Sequence, residues 1–118
     1  MNTQEIASDL VKLCKQGKFE EAGDKYWADD VLSVEAAGDE REARGKPAVR
    51  AKGEWWTRTF QVDDVSVEGP YVNADEFIVR FKMRTTNKES GEKASMDETA
   101  LYRVKDGKIA EERFFYSA

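Results

Sequence analysis

The chain contains no histidine, and that absence removes more chemistry than any other feature of its composition. It excludes Ser-His-Asp and Cys-His machinery, histidine-ligated zinc and a histidine general base. Acid–base chemistry is left to carboxylates, tyrosines or lysines. The single cysteine, Cys14, has no partner for an internal disulfide. It falls on the apolar stripe of the first expected helix and reads as a buried small hydrophobe. No Lys/Arg block stands out and the net charge is −5, so the electrostatic footprint of a nucleic-acid or anionic-membrane partner is missing. No apolar run approaches the ~20 residues of a membrane span. The polar, acidic start MNTQEIASD does not have the form of a secretory signal. A cytoplasmic protein without membrane contact is the expectation. The acidic runs Asp29-Asp30, Asp39-Glu40 and Glu111-Glu112 do not show metal-site spacing, and neither a metal nor a cofactor is expected.

Aromatic residues, by contrast, are plentiful. Three Trp, four Tyr and six Phe in 118 residues are enough to anchor one real core, and the 36% of charged residues are of mixed sign. This is the composition of one globular domain, not of a disordered chain.

The periodicity of the first half is helical. Asn2 and Glu5 have capping-box spacing, and Ile6, Leu10, Leu13 and Cys14 form an apolar stripe, which predicts a helix from about Thr3 to Gln16 that Gly17 stops. A second helix is expected from about Lys18, with Phe19, Ala22, Tyr26 and Trp27 on one side and Asp29-Asp30 at its end. VLSVE (31–35) reads as a short strand and AAGDEREARG as a charged connection. Gly45 and Pro47 introduce a third helix, with Val49, Gly53, Trp56 and Phe60 on one side and Trp55 beside them. From Phe60 the period changes to two, and FQVDDVSVEG, EFIVRFKMRTT, KASMDETALYRV and KIAEERFFYS read as four strands. Phe77, Val79, Phe81 and Met83 alternate with Ile78, Arg80, Lys82 and Arg84, which predicts one buried and one wet face. Arg103 joins the wet face. Helices gathered on one side of a strand meander define an α+β domain spanning residues 1–118.

Three segments in this order carry a resemblance. Tyr26-Trp27-Ala28-Asp29-Asp30-Val31 is similar to an aromatic-Ala-Asp-Asp junction between second helix and first strand. Arg44-Gly45-Lys46-Pro47-Ala48-Val49 is similar to a glycine-led entry to a third helix. Leu101 to Ile109 is similar to a C-terminal hairpin. Together they resemble the SnoaL-like and ketosteroid-isomerase-like branch of the nuclear transport factor 2-like superfamily. That resemblance implies three N-terminal helices packed on a strongly curved antiparallel sheet, a cone or half-barrel of cystatin-like topology. It also implies an apolar pocket between helices and sheet, and a homodimer formed through the outer sheet face. The superfamily hosts enzymes, ligand binders and non-catalytic partners, so the fold alone does not name a reaction.

Which residues face the pocket depends on the last hairpin. If Asp106-Gly107 is a two-residue type I′ loop, Tyr102 lies opposite Glu111 and Glu98 opposite Phe115. If Lys105-Asp106-Gly107 is a three-residue loop with a glycine bulge, Tyr102 lies opposite Ala110, Ala100 opposite Glu112, Glu98 opposite Phe114 and Met96 opposite Tyr116. A one-residue slip moves every side chain to the other face. The second register is the expected one, because it gathers Met96, Ala100, Tyr102, Val104, Ala110, Phe114 and Tyr116 on one side and agrees with the resemblance. It also sets Glu98 and Glu112 on an otherwise apolar wall. Asp97 and Glu111 take that place under the other register.

Glu35 occupies the position matching the carboxylate base of ketosteroid isomerases, and Glu35 and Glu112 are the expected catalytic residues. Tyr26, Trp27, Trp55, Trp56, Phe81, Glu98, Tyr102, Phe114 and Tyr116 are the expected ligand-binding wall, although each of the aromatics also reads as core. The positions matching the isomerase's oxyanion donors hold Leu10 and Ala100, which cannot donate, so the resemblance does not extend to a true ketosteroid isomerase. The expected function is binding of a small apolar molecule. The expected chemistry is cofactor-free, carboxylate-assisted isomerisation, cyclisation or dehydration of a carbonyl-bearing substrate. A non-catalytic ligand-binding or dimeric interaction module is the alternative.

Overall fold

In the computed structural model, which describes residues 1–117, the first helix begins where the capping box places it. The Asn2 side chain accepts from the Glu5 N–H at 2.8 Å and the Asn2 N–H donates to Glu5 Oε1 at 3.1 Å, opening α1 (Thr3–Lys15). Ile6, Leu10 and Cys14 are buried as the stripe requires, joined by Ala7 and Val11. Helix α2 (Phe19–Tyr26) is shorter than expected. Trp27 is already extended (φ −63°, ψ 133°) and pairs with Ile109, so β1 (Trp27–Val34) absorbs Asp29 and Asp30. The aspartates do not terminate the helix; the sheet captures the chain two residues earlier.

The charged connection contains a strand that hydropathy did not reveal. β2 (Glu42–Arg44) pairs antiparallel with β1, with Ser33 opposite Ala43. Three residues, two of them exposed, are too few to show a period. Helix α3 (Lys46–Thr59) carries Pro47 in its first turn. The four remaining strands are β3 (Phe60–Asn73), β4 (Glu76–Asn87), β5 (Lys93–Lys105) and β6 (Lys108–Phe115). β3 runs past its expected end through Pro70, which an edge strand tolerates because no ladder hydrogen bond is lost on its open side.

The sheet has six strands in the order β2-β1-β6-β5-β4-β3. It is mixed rather than antiparallel, because β1 runs parallel to β6. It is also open, with β2 and β3 as its two edges. The helical excursion through α3 between β1 and β3 brings the chain to the far edge, and the meander then returns to β1. On β4 the predicted alternation holds. Phe77, Val79, Phe81 and Met83 are buried, while Arg80 and Arg84 face outward and pair with Asp97 at 2.8 Å and Asp64 at 3.3 Å.

The last hairpin matches neither expected register throughout. Asp106 (φ 52°) and Gly107 (φ 75°) form a two-residue loop with Lys105 opposite Lys108. Two consecutive positive φ values are what a type I′ turn needs, and Asp-Gly meets them with little strain. A register shift follows at once: Val104 pairs with Ile109, but Arg103 pairs with Glu111, leaving Ala110 extra. Beyond that bulge Tyr102 lies opposite Glu112 and Ala100 opposite Phe114. The loop is therefore the shorter one, and Tyr102 faces neither Ala110 nor Glu111. Yet the bulge restores the parity of the three-residue-loop register, so Glu112 points inward. Ile109, not Ala110, joins the core beside Val104.

The main apolar cluster lies between α1, α2 and the inner sheet face, with Phe77 stacked on Tyr102 at 4.8 Å. Fully burying a side chain such as Ile6, Ile109 or Phe77 contributes about 1.5–3 kcal/mol. Helix α3 fully buries only Val49. Its inner face borders a cavity instead of core.

Candidate functional site

The cavity lies between the three helices and the inner face of the sheet and has a volume of about 470 Å³. Trp27, Phe81, Tyr102 and Phe114 line it, with Trp56 and the half-exposed Trp55 contributed by α3. Tyr116 and the carboxylates Glu35, Glu98 and Glu112 complete the expected set. Tyr26 does not belong to it. Its hydroxyl donates to Asp9 of α1, tying the first two helices together, and its ring is core. The helix–strand junction separates the two neighbours: Tyr26 turns to α1, and Trp27 turns to the cavity.

Two residues that the sequence did not single out hold the polar part of the site together. Ser33 is fully buried on β1, and Lys52 projects from α3. Lys52 Nζ lies 2.5 Å from Ser33 Oγ and 3.0 Å from Glu35 Oε1. Ser33 Oγ donates to Glu112 Oε2 at 2.8 Å, and the Trp27 indole N–H donates to Glu112 Oε1 at 2.7 Å. The Tyr116 hydroxyl donates to Glu35 Oε2 at 3.1 Å. A continuous chain thus runs Trp27–Glu112–Ser33–Lys52–Glu35–Tyr116. Lys52 had a signal: it is three residues after Val49 and four before Trp56, on the inner face of α3. Ser33 shares the inner face of β1 with Val31, and Glu35 follows at the same two-residue step just past the end of the strand.

The three carboxylates differ in their surroundings. Glu35 is paired with Lys52. Glu112 is only 5% exposed and accepts a bond at each oxygen. Burial pushes its pKa up, while the Trp27 and Ser33 bonds and the Lys52 charge pull the other way. Glu98 makes no hydrogen bond or ion pair among the described residues. Burial, reinforced by the charges of Glu35 and Glu112 and opposed by Lys52, pushes its pKa up to about 7. Tyr102, 6% exposed, likewise has a hydroxyl without a partner among the described residues, and burial next to Glu112 holds its pKa well above the ordinary value. Cys14, at the same end of the cavity, is pushed up to about 12 by burial and by Glu112, which makes it an inert thiol at neutral pH. Among the described residues, no three His, Cys, Asp or Glu side chains are grouped to hold a metal ion, and no helix is long and apolar enough to cross a membrane.

The site is therefore an apolar chamber with one anchored carboxylate, one ion pair and one unengaged carboxyl, the last suited to exchanging a proton near neutral pH.

Comparison with known proteins agrees with this architecture. A solved structure from Mesorhizobium loti, described as a candidate SnoaL-like polyketide cyclase with carbohydrate phosphatase in brackets, is 50% identical over 98% of this chain and 100% of that one, with a TM-score of 0.93. A candidate isomerase from Bacillus subtilis is 16% identical over 99% of this chain and 90% of that one, with a TM-score of 0.82. A candidate SnoaL-like polyketide cyclase from Jannaschia is 17% identical over 93% of this chain and 86% of that one, with a TM-score of 0.76. The last two likenesses establish the fold alone. No curated protein sequence matches the chain. The family model of the SnoaL-like domain matches residues 1–116, and with that coverage the chain belongs to the SnoaL-like domain family.

Proposed function

We propose that this domain binds a small, largely apolar, carbonyl-bearing molecule and moves a proton on it without a cofactor, as an isomerase, cyclase or dehydratase would. The observation that carries the reading is Glu98: a carboxyl without a partner among the described residues, facing an apolar chamber, with a pKa near 7. Glu35 and Glu112, the carboxylates favoured by the sequence, are already engaged and serve to position the others. In the proposed step the Glu98 carboxylate takes a proton from the carbon beside the substrate carbonyl. The C–H electron pair passes into the carbonyl, and the resulting enolate oxygen is stabilised by the Lys52 ammonium. Glu98 then returns the proton to another carbon. Lys52 supplies the positive charge that Leu10 and Ala100 cannot.

A non-catalytic binder is the second reading, and the engagement of Glu35 and Glu112 favours it. Deuterium exchange separates the two. A panel of apolar ketones is incubated with the protein in D₂O and followed by NMR. Enzyme-dependent exchange beside the carbonyl, lost in Glu98→Gln, supports proton transfer. Binding without exchange leaves the binder. The same family reading carries a homodimer through the outer sheet face, where Tyr71 and Ile78 are exposed. A monomer in sedimentation at micromolar concentration would remove that part.

A further inference from the structure

The charges of the cavity do not balance. Glu20, Glu35, Glu98 and Glu112 line it, against one ammonium, Lys52. That ammonium lies against Glu35, 3.0 Å from Oε1. Glu112, the most buried of the four, has no cation in contact among the described residues. Its two hydrogen bonds come from identifiable donors. The Trp27 indole is a donor only, so Glu112 Oε1 accepts. Lys52 has no acceptor, so Ser33 Oγ accepts from it and sends its own proton to Glu112 Oε2. Both oxygens face donors, which favour the carboxylate, while burial at this end of the apolar chamber pushes its pKa up. An ionised group placed there without a counter-charge is costly.

A second, independent feature lies on the same wall. Tyr102 is opposite Glu112 in the β5–β6 ladder, is 94% buried by its 6% exposure, and offers its hydroxyl oxygen without a partner among the described residues. An acceptor pair formed by a carboxylate and a phenol oxygen, bordered by the Trp27 and Phe19 rings, matches the donors and the charge of an ammonium group.

We infer that the buried end of the cavity, at Glu112 and Tyr102, is a binding site for the protonated amine of an apolar ligand. The inference rests on the reading that the cavity holds a small molecule, and it names the charge class of that molecule. The two carboxylates then have separate tasks: Glu112 anchors the ammonium, and Glu98, flanked by Glu35 and Lys52, faces the reacting part. The same carboxylates work against an anionic ligand.

Three probes of one shape test it by titration calorimetry on the intact protein at pH 7.5: 2-(1-naphthyl)ethylamine, 2-(1-naphthyl)ethanol and 3-(1-naphthyl)propanoate. The amine should bind about tenfold or more tighter than the alcohol, the scale of a desolvated charge pair, and the carboxylate should not bind. In Tyr102→Phe, which keeps the packed ring, the preference for amine over alcohol should shrink several-fold. In Glu112→Gln, checked for folding by circular dichroism, it should disappear while alcohol binding remains. Alcohol binding equal to or tighter than amine binding in the native protein overturns this inference and leaves the pocket reading intact. Failure of all three probes to bind overturns both.

Discussion

The indole N–H of Trp27, the first residue of β1, donates to Glu112 Oε1 at 2.7 Å and so fastens the helix–strand junction to the last strand. The bond depends on a glycine. A Cβ added at Gly23, one helical turn earlier, would lie 2.4 Å from the Trp27 ring. Gly23→Ala should therefore push the indole aside, lengthen or break its bond to Glu112, and cost about 1–3 kcal/mol as overpacking does. Urea unfolding gives the cost, and the indole N–H resonance of Trp27 reports the bond. An unmoved resonance with unchanged stability would refute the dependence.

Trp27→Phe isolates the hydrogen bond from the packing. It keeps an aromatic ring but leaves Glu112 Oε1, on a residue 5% exposed, without its donor. The expected loss is about 1–3 kcal/mol, the cost of stranding a buried acceptor. The pKa of Glu112 should also rise, because the Trp27 bond is among the interactions holding it down. NMR titration of labelled glutamate carboxyls reads the shift, and a fall in pKa would contradict the account.

Glu98 gives the domain a pH signature. Its pKa is about 7 in the folded chain against 4.5 for an unperturbed glutamate. Between those values the folded state holds a proton that the unfolded state has released. The contribution of Glu98 to stability is thus fully present below about pH 4.5 and is lost as pH rises through about 7. The slope from this one group is at most about 1.4 kcal/mol per pH unit. Glu98→Gln should flatten the stability profile across that window and stand above the native protein at pH 8. Urea melts of both proteins from pH 4.5 to 8.5 test this, and parallel profiles would discard it.

Much of the frame was legible because it rests on local patterns that survive folding. The Asn2–Glu5 capping box, the Ile6–Cys14 stripe and the Phe77–Met83 alternation all sit where periodicity puts them. The gaps arise where pairing partners decide. β2 exists because β1 offers an edge at Leu32 to Val34, not because Glu42–Arg44 has strand character. The bulge at Ala110 had one trace in the sequence. Ile109 and Phe114 both face inward, yet they are five residues apart, an odd separation that an uninterrupted strand forbids. Reading the Asp106-Gly107 turn and that odd spacing together yields the observed hairpin; either alone gives a wrong partner for Tyr102. Lys52 escaped notice because a charged residue on a helix is usually solvated. Here the helix has a cavity under it.

Lys52 therefore offers the sharpest test of how the site is wired. Its ammonium pairs with Glu35, bonds Ser33 and lies 5.2 Å from the centre of the Phe114 ring. Its positive charge also opposes the rise of the Glu98 pKa. Lys52→Met keeps the length of the apolar stem and removes the charge. Two carboxylates that repel a negative Glu98 then remain unopposed, so the Glu98 titration must move upward from about 7. Exchange of substrate protons should need correspondingly higher pH, because the base is deprotonated later, and it should be slower at its plateau for want of a charge at the enolate oxygen. Lys52→Arg should restore the titration more fully than the plateau, since its charge returns but its planar head does not reproduce the ammonium's position. If Lys52 serves only to brace α3 against β1, Lys52→Met will lower stability while leaving the Glu98 titration where it was.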